Sequence, residues 1–371
     1  MRTTTPRSLA IALTAVAAIV AGACGGAAQP SPSATVAPTT GATTAPTTAP
    51  TAATKPGELD AATVTKAKSE AKVVLYTSLQ TEDATPVIKA FEKAYPEIKV
   101  ELNRKSSSKI LTQYETEAKA GKVLGDVLET GGVDLAGVVK NGLTVAFDPP
   151  AAKDFPKEYK QLNGHFVNAR SAVGTFGWNT NLVKAGQEPK TWEDLLDPKW
   201  KGKTIVEASD WDVMQALAKG HWNGDDAKVR DYFTKLSANA PIIIDGHTEA
   251  LSALIAGQGS VGFGIRGDTM QAEIAEKKAP VNWSKDEVML RLQGAVISKD
   301  APHPNAARVF VNWYLSKDGG QKTLAELKRI PAVPGLADPI FTFKKTIISG
   351  PEDAPDLTKY EKLWNELIVK K

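Results

Sequence analysis

Cysteine is almost missing from this chain: Cys24 is the only one in 371 residues. A single thiol closes no internal disulfide, so the fold must rest on its apolar core. A run of about 20 apolar residues, long enough to cross a bilayer, is also missing. So is any excess of one charge. The 45 basic and 42 acidic residues leave a formal net charge of +3. The basic residues are scattered singly, which gives no electrostatic footing for nucleic acid. The four histidines, His165, His221, His247 and His303, are far apart and form no helical i, i+4 pair, so no metal-ligand motif is legible. No G-x-S-x-G elbow and no H-E-x-x-H occurs, and these hydrolase signatures are excluded. Two overlapping G-x-G-x-x-G matches, Gly257, Gly259, Gly262 and then Gly262, Gly264, Gly267, fail on context. The first enters a strand instead of leaving one, and the second has two of its glycines inside the strand. Neither an enzyme nor a bound cofactor is expected, and no period of 20 to 50 residues marks a solenoid.

What is present begins at the N-terminus. Arg2 and Arg7 precede an almost unbroken stretch of apolar and small residues from Ser8 to Ala23. That is the form of a secretory signal's apolar core. Ala21-Gly22-Ala23-Cys24 resembles the bacterial lipobox, whose cysteine takes a diacylglyceryl group and becomes the mature N-terminus. Ala21 stands where that motif usually has Leu. The expectation is a signal peptide over 1–23, a lipid anchor at Cys24, and a location on the extracytoplasmic face of the cell membrane or in the periplasm. The plainer alternative is ordinary cleavage beside a stray cysteine. Residues 25–57 are mostly Ala, Thr, Pro, Ser and Gly, with too little apolar surface to offset the entropy of ordering. Together with Cys24 they read as a disordered tether, 24–57, that at ~3 Å per residue reaches up to about 100 Å.

From residue 71 strands and helices alternate. Lys72–Thr77 and 125–129 are short apolar runs of strand type, and Ile98, Val100 and Leu102 alternate as in a half-buried strand. Val87, Ile88, Phe91 and Tyr95 recur at helical spacing before Pro96, and Ile110, Leu111, Tyr114 and Ala118 do so before Gly121. Further strands are expected at 172–178, 204–207, 241–244, 261–265 and 288–298. Helices are expected near 211–222, 225–237, 248–256, 268–278, 304–316 and 318–327. Thr191 to Asp194 has the form of a capping box with Asp in place of Glu. Strands alternating with helices of ten to fifteen residues indicate an α/β fold with a mostly parallel sheet.

Three groups of segments, in order, resemble one family. Val73–Ser78 with Val87–Pro96 looks like its opening. Phe176–Leu182 with Pro189–Leu195 looks like its passage into a second lobe. Leu251–Phe263, Gly294–Ser298, Ala301–Pro304 and Phe310–Leu315 look like its return path. The resemblance is to class II bacterial solute-binding proteins of ATP-driven importers, within the cluster of ferric-iron-binding proteins. It implies two Rossmann-like lobes with mixed, mostly parallel sheets, joined by crossing hinge strands: residues 58–175, then 176–280, then a return over 281–371 with the C-terminal helices. It also implies a monomer that captures a small solute between the lobes and hands it to an ABC permease and its ATPase. A ligand-sensing partner of a membrane receptor is the alternative on the same fold.

In open α/β sheets ligands bind beyond the carboxyl ends of strands, where helix N-termini present backbone N–H groups. The residues there are Thr77 and Ser78, Ser106 and Ser107, Thr130 and Gly131, Ser209 with Trp211, His247 with Thr248, and Arg266. Trp178 joins them as a stacking surface. Taken singly each is an ordinary cap or turn residue; together they outline a ligand site. The resemblance implies, for the iron-binding relatives, adjacent tyrosines after the strand that ends here near Ile265. This chain has Ile265-Arg-Gly-Asp-Thr-Met270 instead, and no Tyr-Tyr pair anywhere. Arg266 offers a planar fork suited to carboxylate or phosphate, so a small, oxygen-rich anion is expected, with ferric iron as the alternative. A structural ion pair of Arg266 with Asp268 or Asp245 is the competing role.

Overall fold

The computed structural model describes residues 57–370, so the leader, Cys24 and all of the tether but its last residue lie outside the described residues. The first part of the chain runs α1 (Ala61–Glu70), β1 (Lys72–Thr77), α2 (Thr81–Ala94), β2 (Lys99–Arg104), α3 (Ser107–Lys119), β3 (Val127–Gly131), α4 (Gly132–Lys140), β4 (Thr144–Val145) and β5 (Lys160–Gln161). A long strand, β6 (Phe166–Asn179), leads on to β7 (Thr204–Glu207), α5 (Trp211–Gly220), α6 (Asp226–Ala238), β8 (Ile242–Ile244), α7 (His247–Ile255), β9 (Val261–Arg266), α8 (Gly267–Lys277) and β10 (Val281–Trp283). A second long strand, β11 (Glu287–Ser298), returns the chain to α9 (Pro304–Leu315), α10 (Lys322–Glu326), β12 (Ile330–Pro331), β13 (Lys345–Ser349) and α11 (Ala354–Trp364).

The strands join in the order β2-β1-β3-β11-β6-β9-β7-β8. β2, β1 and β3 are parallel to one another, as are β9, β7 and β8. Each trio meets the long central pair antiparallel, β3 against β11 and β9 against β6. Two half-sheets of α/β type therefore share two long strands. β3 ends at Gly131 opposite Gln293, and Gln293 lies opposite Arg170 of β6. β9 ends at Arg266 opposite Gly174 of β6. The two half-sheets run in opposite senses, so their carboxyl edges face each other. Along β6 the two ends are four residues apart, about 13 Å at strand rise.

Helices pack on both faces. One cluster joins Val73, Leu75, Phe91, Ile98, Phe310 and Tyr314, and another joins Tyr76, Ile110, Tyr114, Leu135 and Val296 around the first half-sheet. Around the second, Phe176, Trp192, Phe233, Phe263 and Trp364 form an aromatic cluster, and Leu251, Leu254, Ile265, Met270 and Trp283 fill the other face. Each such side chain contributes about 1.5–3 kcal/mol on full burial. Local signals agree with the packing. Asp60 caps α1 by accepting from Thr63 N at 2.8 Å. The Glu70 carboxylate accepts from Asn305 N at 3.0 Å and Ala306 N at 2.7 Å, so α1 satisfies the free donors at the start of α9. Thr191 and Asp194 exchange the two bonds of a capping box.

Three expectations change. β6 begins at Phe166, six residues before the expected 172, because it spans both half-sheets. β3 is shifted two residues on, so Thr130 and Gly131 belong to the strand and Gly132 opens α4. The C-terminal helix, expected with the first lobe, buries Tyr360 and Trp364 in the aromatic cluster of the second half. The indole of Trp364 donates to Ala208 O at 2.8 Å, which satisfies its polar atom there.

Candidate functional site

The facing carboxyl edges gather most of the expected residues. From the first half-sheet come three hydroxyls. Thr130 Oγ1 lies 2.7 Å from Ser78 Oγ and 2.7 Å from Ser107 Oγ. Ser78 N donates to Glu129 O at 3.1 Å, which closes β1 onto β3. Thr77 is fully buried; its hydroxyl donates to Glu129 Oε2 and accepts from Leu79 N. It is committed to the scaffold. Ser106 is an N-cap without a side-chain cap bond, and it is exposed. A Cβ at Gly131 would stand 2.6 Å from Asp134 Oδ2, so a side chain there would have to displace the Asp134 carboxylate. Asp134 is solvent-exposed. Its depth in the protein still raises its pKa, against the pull of Arg291, a Ser107 hydrogen bond and Arg266. These causes set Asp134 among residues of both half-sheets.

The second half-sheet brings Glu207, Asp210, His247 and Arg266. Glu207 Oε2 accepts from Ser209 N and Ser209 Oγ at 2.6 and 2.7 Å, and Oε1 accepts from Gly246 N at 3.0 Å. Glu207 thus ties the starts of α5 and α7 to β7. Asp210 is fully buried, and neither of its carboxylate oxygens has a hydrogen-bond partner. Burial pushes its pKa well above the carboxylate range, opposed chiefly by Arg291. Burial, reinforced by the Arg266 charge, pushes His247 well below 6.5, so the ring is neutral at pH 7. Arg291 Nη1 lies 3.4 Å from His247 Nε2. Arginine can only donate, so the imidazole proton belongs on Nδ1, which lies 3.8 Å from Asp210 Oδ1.

Three arginines stand at this centre, and two are neutralised. Arg170 pairs with Glu129 at 3.1 Å, and Arg291 pairs with Asp212. Arg266 differs. Its Nε is buried without a hydrogen-bond partner. No carboxylate of the described residues lies within ion-pair distance of it, Asp268 and Asp245 included; Asp268 Oδ1 instead accepts from Val173 N at 3.1 Å. The competing structural role for Arg266 is therefore not observed.

Trp178 pairs with Val261, at the far end of β9 from Arg266, and packs on the aromatic cluster, as does Trp211. Both indoles are half-buried, and Trp211 opens α5 directly after Asp210. Thr248 is exposed in the first turn of α7. Glu129, Asp134, Arg170, Glu207 and Arg291 were not among the expected site residues, and Asp210 is legible only as a polar residue opening a helix beside Ser209 and Trp211. The signal for Arg291 was its place inside the apolar run Val288–Leu292: a lone charge in a central strand is costly unless paired.

Glu207, Asp210 and His247 place one ligand atom each within 4.8 Å of one another, a spacing a cation could bridge. The other histidines have partners of their own: His165 with Thr144, His221 with Glu193 and Glu287, and His303 with Asp126. A hollow of about 290 Å³ on β1 and β2, lined by Tyr76, Asn103, Gln113 and His303 among others, contains none of the residues at the facing carboxyl edges. There Asn103 donates to Gln113, and Gln113 donates to the Tyr76 hydroxyl.

A family model described as bacterial extracellular solute-binding protein matches residues 87–352. A relative named "Probable ABC transporter periplasmic-binding protein y4fP", from Sinorhizobium fredii, is 24% identical over 236 residues, 59% of this chain and 62% of that protein. Iron-bound HitA from Pseudomonas aeruginosa superposes with a TM-score of 0.67 at 20% identity, over 80% of this chain and 99% of that one. AfuA from Actinobacillus pleuropneumoniae, with fructose-6-phosphate bound, gives 0.67 at 22% identity over 81% and 99%. These likenesses establish the class II periplasmic-binding-protein fold.

Proposed function

This chain belongs to the bacterial extracellular solute-binding proteins, and from that premise we propose that it captures a small organic anion for an ABC importer. The solute sits between the carboxyl edges of the two half-sheets, in contact with Arg266, the Ser78, Ser107 and Thr130 hydroxyls, and the N-terminus of α7. A permease and its ATPase receive it. Residues 58–175 with the return segment from 281 form one lobe and 176–280 the other, with the C-terminal helix α11 packed on the second, and the two close over the solute. The protein acts as a receptor and not as an enzyme. Cys24 carries the lipid that holds it on the extracytoplasmic face of the membrane, with 25–57 as tether.

One observation carries the choice of an anion: Arg266 is the central arginine without a carboxylate partner. Arg266 is half-buried with its Nε out of water; a buried donor is costly until it is met, and an oxyanion meets a guanidinium's donors in pairs. Isothermal calorimetry on the purified protein with organic phosphates and carboxylates tests this. Arg266→Ala should weaken binding by about 2–5 kcal/mol, the range for truncating one side of a buried charged contact. Tight binding of ferric ion that is indifferent to Arg266→Ala would refute it.

The second reading is ferric iron. It rests on the Glu207, Asp210 and His247 cluster and on the iron named for HitA. Against it stand the unpaired Arg266 charge, the Arg291 donor already on His247 Nε2, and the absence of any tyrosine at 265–270.

A further inference from the structure

Asp210 is the N-cap residue of α5, the place where an aspartate normally accepts from the first turn of its helix. It makes no such bond. Both carboxylate oxygens lack any hydrogen-bond partner, although the side chain is fully buried. Nor is it loosely held. Gly264, at φ +69°, lets β9 pass so close that a Cβ there would stand 2.0 Å from Asp210 Oδ2. His247 Nδ1 lies 3.8 Å from Oδ1, beyond hydrogen-bond reach. A buried carboxyl group with no partner is rare and costly. Here it lies near a buried arginine nitrogen that also lacks one, and Asp210 and Arg266 interact electrostatically without forming an ion pair.

The two groups want opposite things. Arg266 needs an acceptor, and Asp210, when ionised, offers only acceptors. With Arg170 and Arg291 paired, Arg266 is left as the cation for the solute's anionic group, and Asp210 is the buried polar side chain near it without a partner. Resting on the anion reading above, we propose that Asp210 is a second anchor of the site, and that the solute carries a hydrogen-bond donor, a hydroxyl or an ammonium, close to its anionic group. Hydroxylated or aminated organic anions are then the substrate class, and sulfate-like ions without a donor are rejected.

The test uses matched probes by calorimetry on the purified full chain. Succinate, malate and aspartate share one dicarboxylate frame that bears no donor, a hydroxyl or an ammonium. Ethyl phosphate and phosphoethanolamine form a second set. The donor-bearing member of at least one set should bind about ten- to hundred-fold tighter than its bare partner, the value of one hydrogen bond to a charged group. A preference for malate identifies a hydroxyl donor, and a preference for aspartate or phosphoethanolamine an ammonium. Asp210→Ala should abolish that gap, the donor-bearing partner losing more affinity than the bare one. Asp210→Asn, which keeps the shape, should narrow the gap and serves if the alanine variant does not fold. Arg266-dependent binding with no preference for donors, or an equal loss for both partners in the Asp210 variants, would overturn the second anchor and leave the anion reading standing. Failure of every probe to bind the wild-type protein would overturn both.

Discussion

Glu129→Ala removes one side of an ion pair that ties the end of β3 to the middle of β6. Glu129 is 2% and Arg170 8% exposed, and the two meet at 3.1 Å. Truncating one partner of a buried pair costs about 3–5 kcal/mol, mainly because the other charge stays behind unpaired. The Thr77 hydroxyl also loses its acceptor on Glu129, and a buried donor left unmet adds about 1 kcal/mol. The expected total is about 4–6 kcal/mol, a large share of a typical domain's stability. Urea unfolding followed by tryptophan fluorescence measures it, with eight tryptophans in the chain. A double variant, Glu129→Ala with Arg170→Met, should recover part of the loss, because no bare charge remains. A cost below about 1 kcal/mol, or a double variant whose loss is the simple sum of the singles, would refute the reasoning. The pair would then be solvated and of the weak surface kind.

Stability should respond to pH through two groups of opposite sign. His247 is held well below 6.5, so the unfolded chain takes its proton first, and stability is lost as pH falls through 6.5; His247→Gln should flatten that limb in melting curves. Asp210 is held well above 3.8, so the native state keeps a proton the unfolded chain has released, and stability declines as pH rises above 3.8. Asp210→Asn should remove that decline and raise the melting temperature at pH 8 in the absence of solute. Cys24→Ala should release the protein from the membrane fraction, since stable anchoring needs two acyl chains; retention of the variant after signal cleavage would exclude the lipid anchor.

Much of the fold was legible in the sequence because its signals are local. Turn residues and apolar periods placed β7, β8, β9 and the helices α5 to α9 within about two residues, the usual uncertainty of element ends. The errors cluster where long-range pairing decides. β6 extends back to Phe166 because β5, β11 and β12 pair with its first half, and nothing near residue 166 announces those partners. Gly131 reads as a turn glycine, yet it is the last residue of β3.

The site divides in the same way. Ser78, Ser107, Thr130, His247 and Arg266 were legible because a strand end followed by a helix start is a sequence pattern. The charged groups that decide the site's chemistry were not, because each reads locally as something else. Asp210 reads as a helix cap and Glu129 as the last polar residue of a strand. Arg170 and Arg291 interrupt apolar runs, and the pattern does not say which carboxylate each will meet. The difference matters for function. Three arginines in sequence suggest a strongly basic pocket. In the fold Glu129 and Asp212 cancel two of them, and a single unpaired guanidinium faces a carboxyl group that accepts from nothing. On the proposed reading, the site's selectivity would follow from that arrangement: an acceptor group is sought by Arg266, and a donor by Asp210.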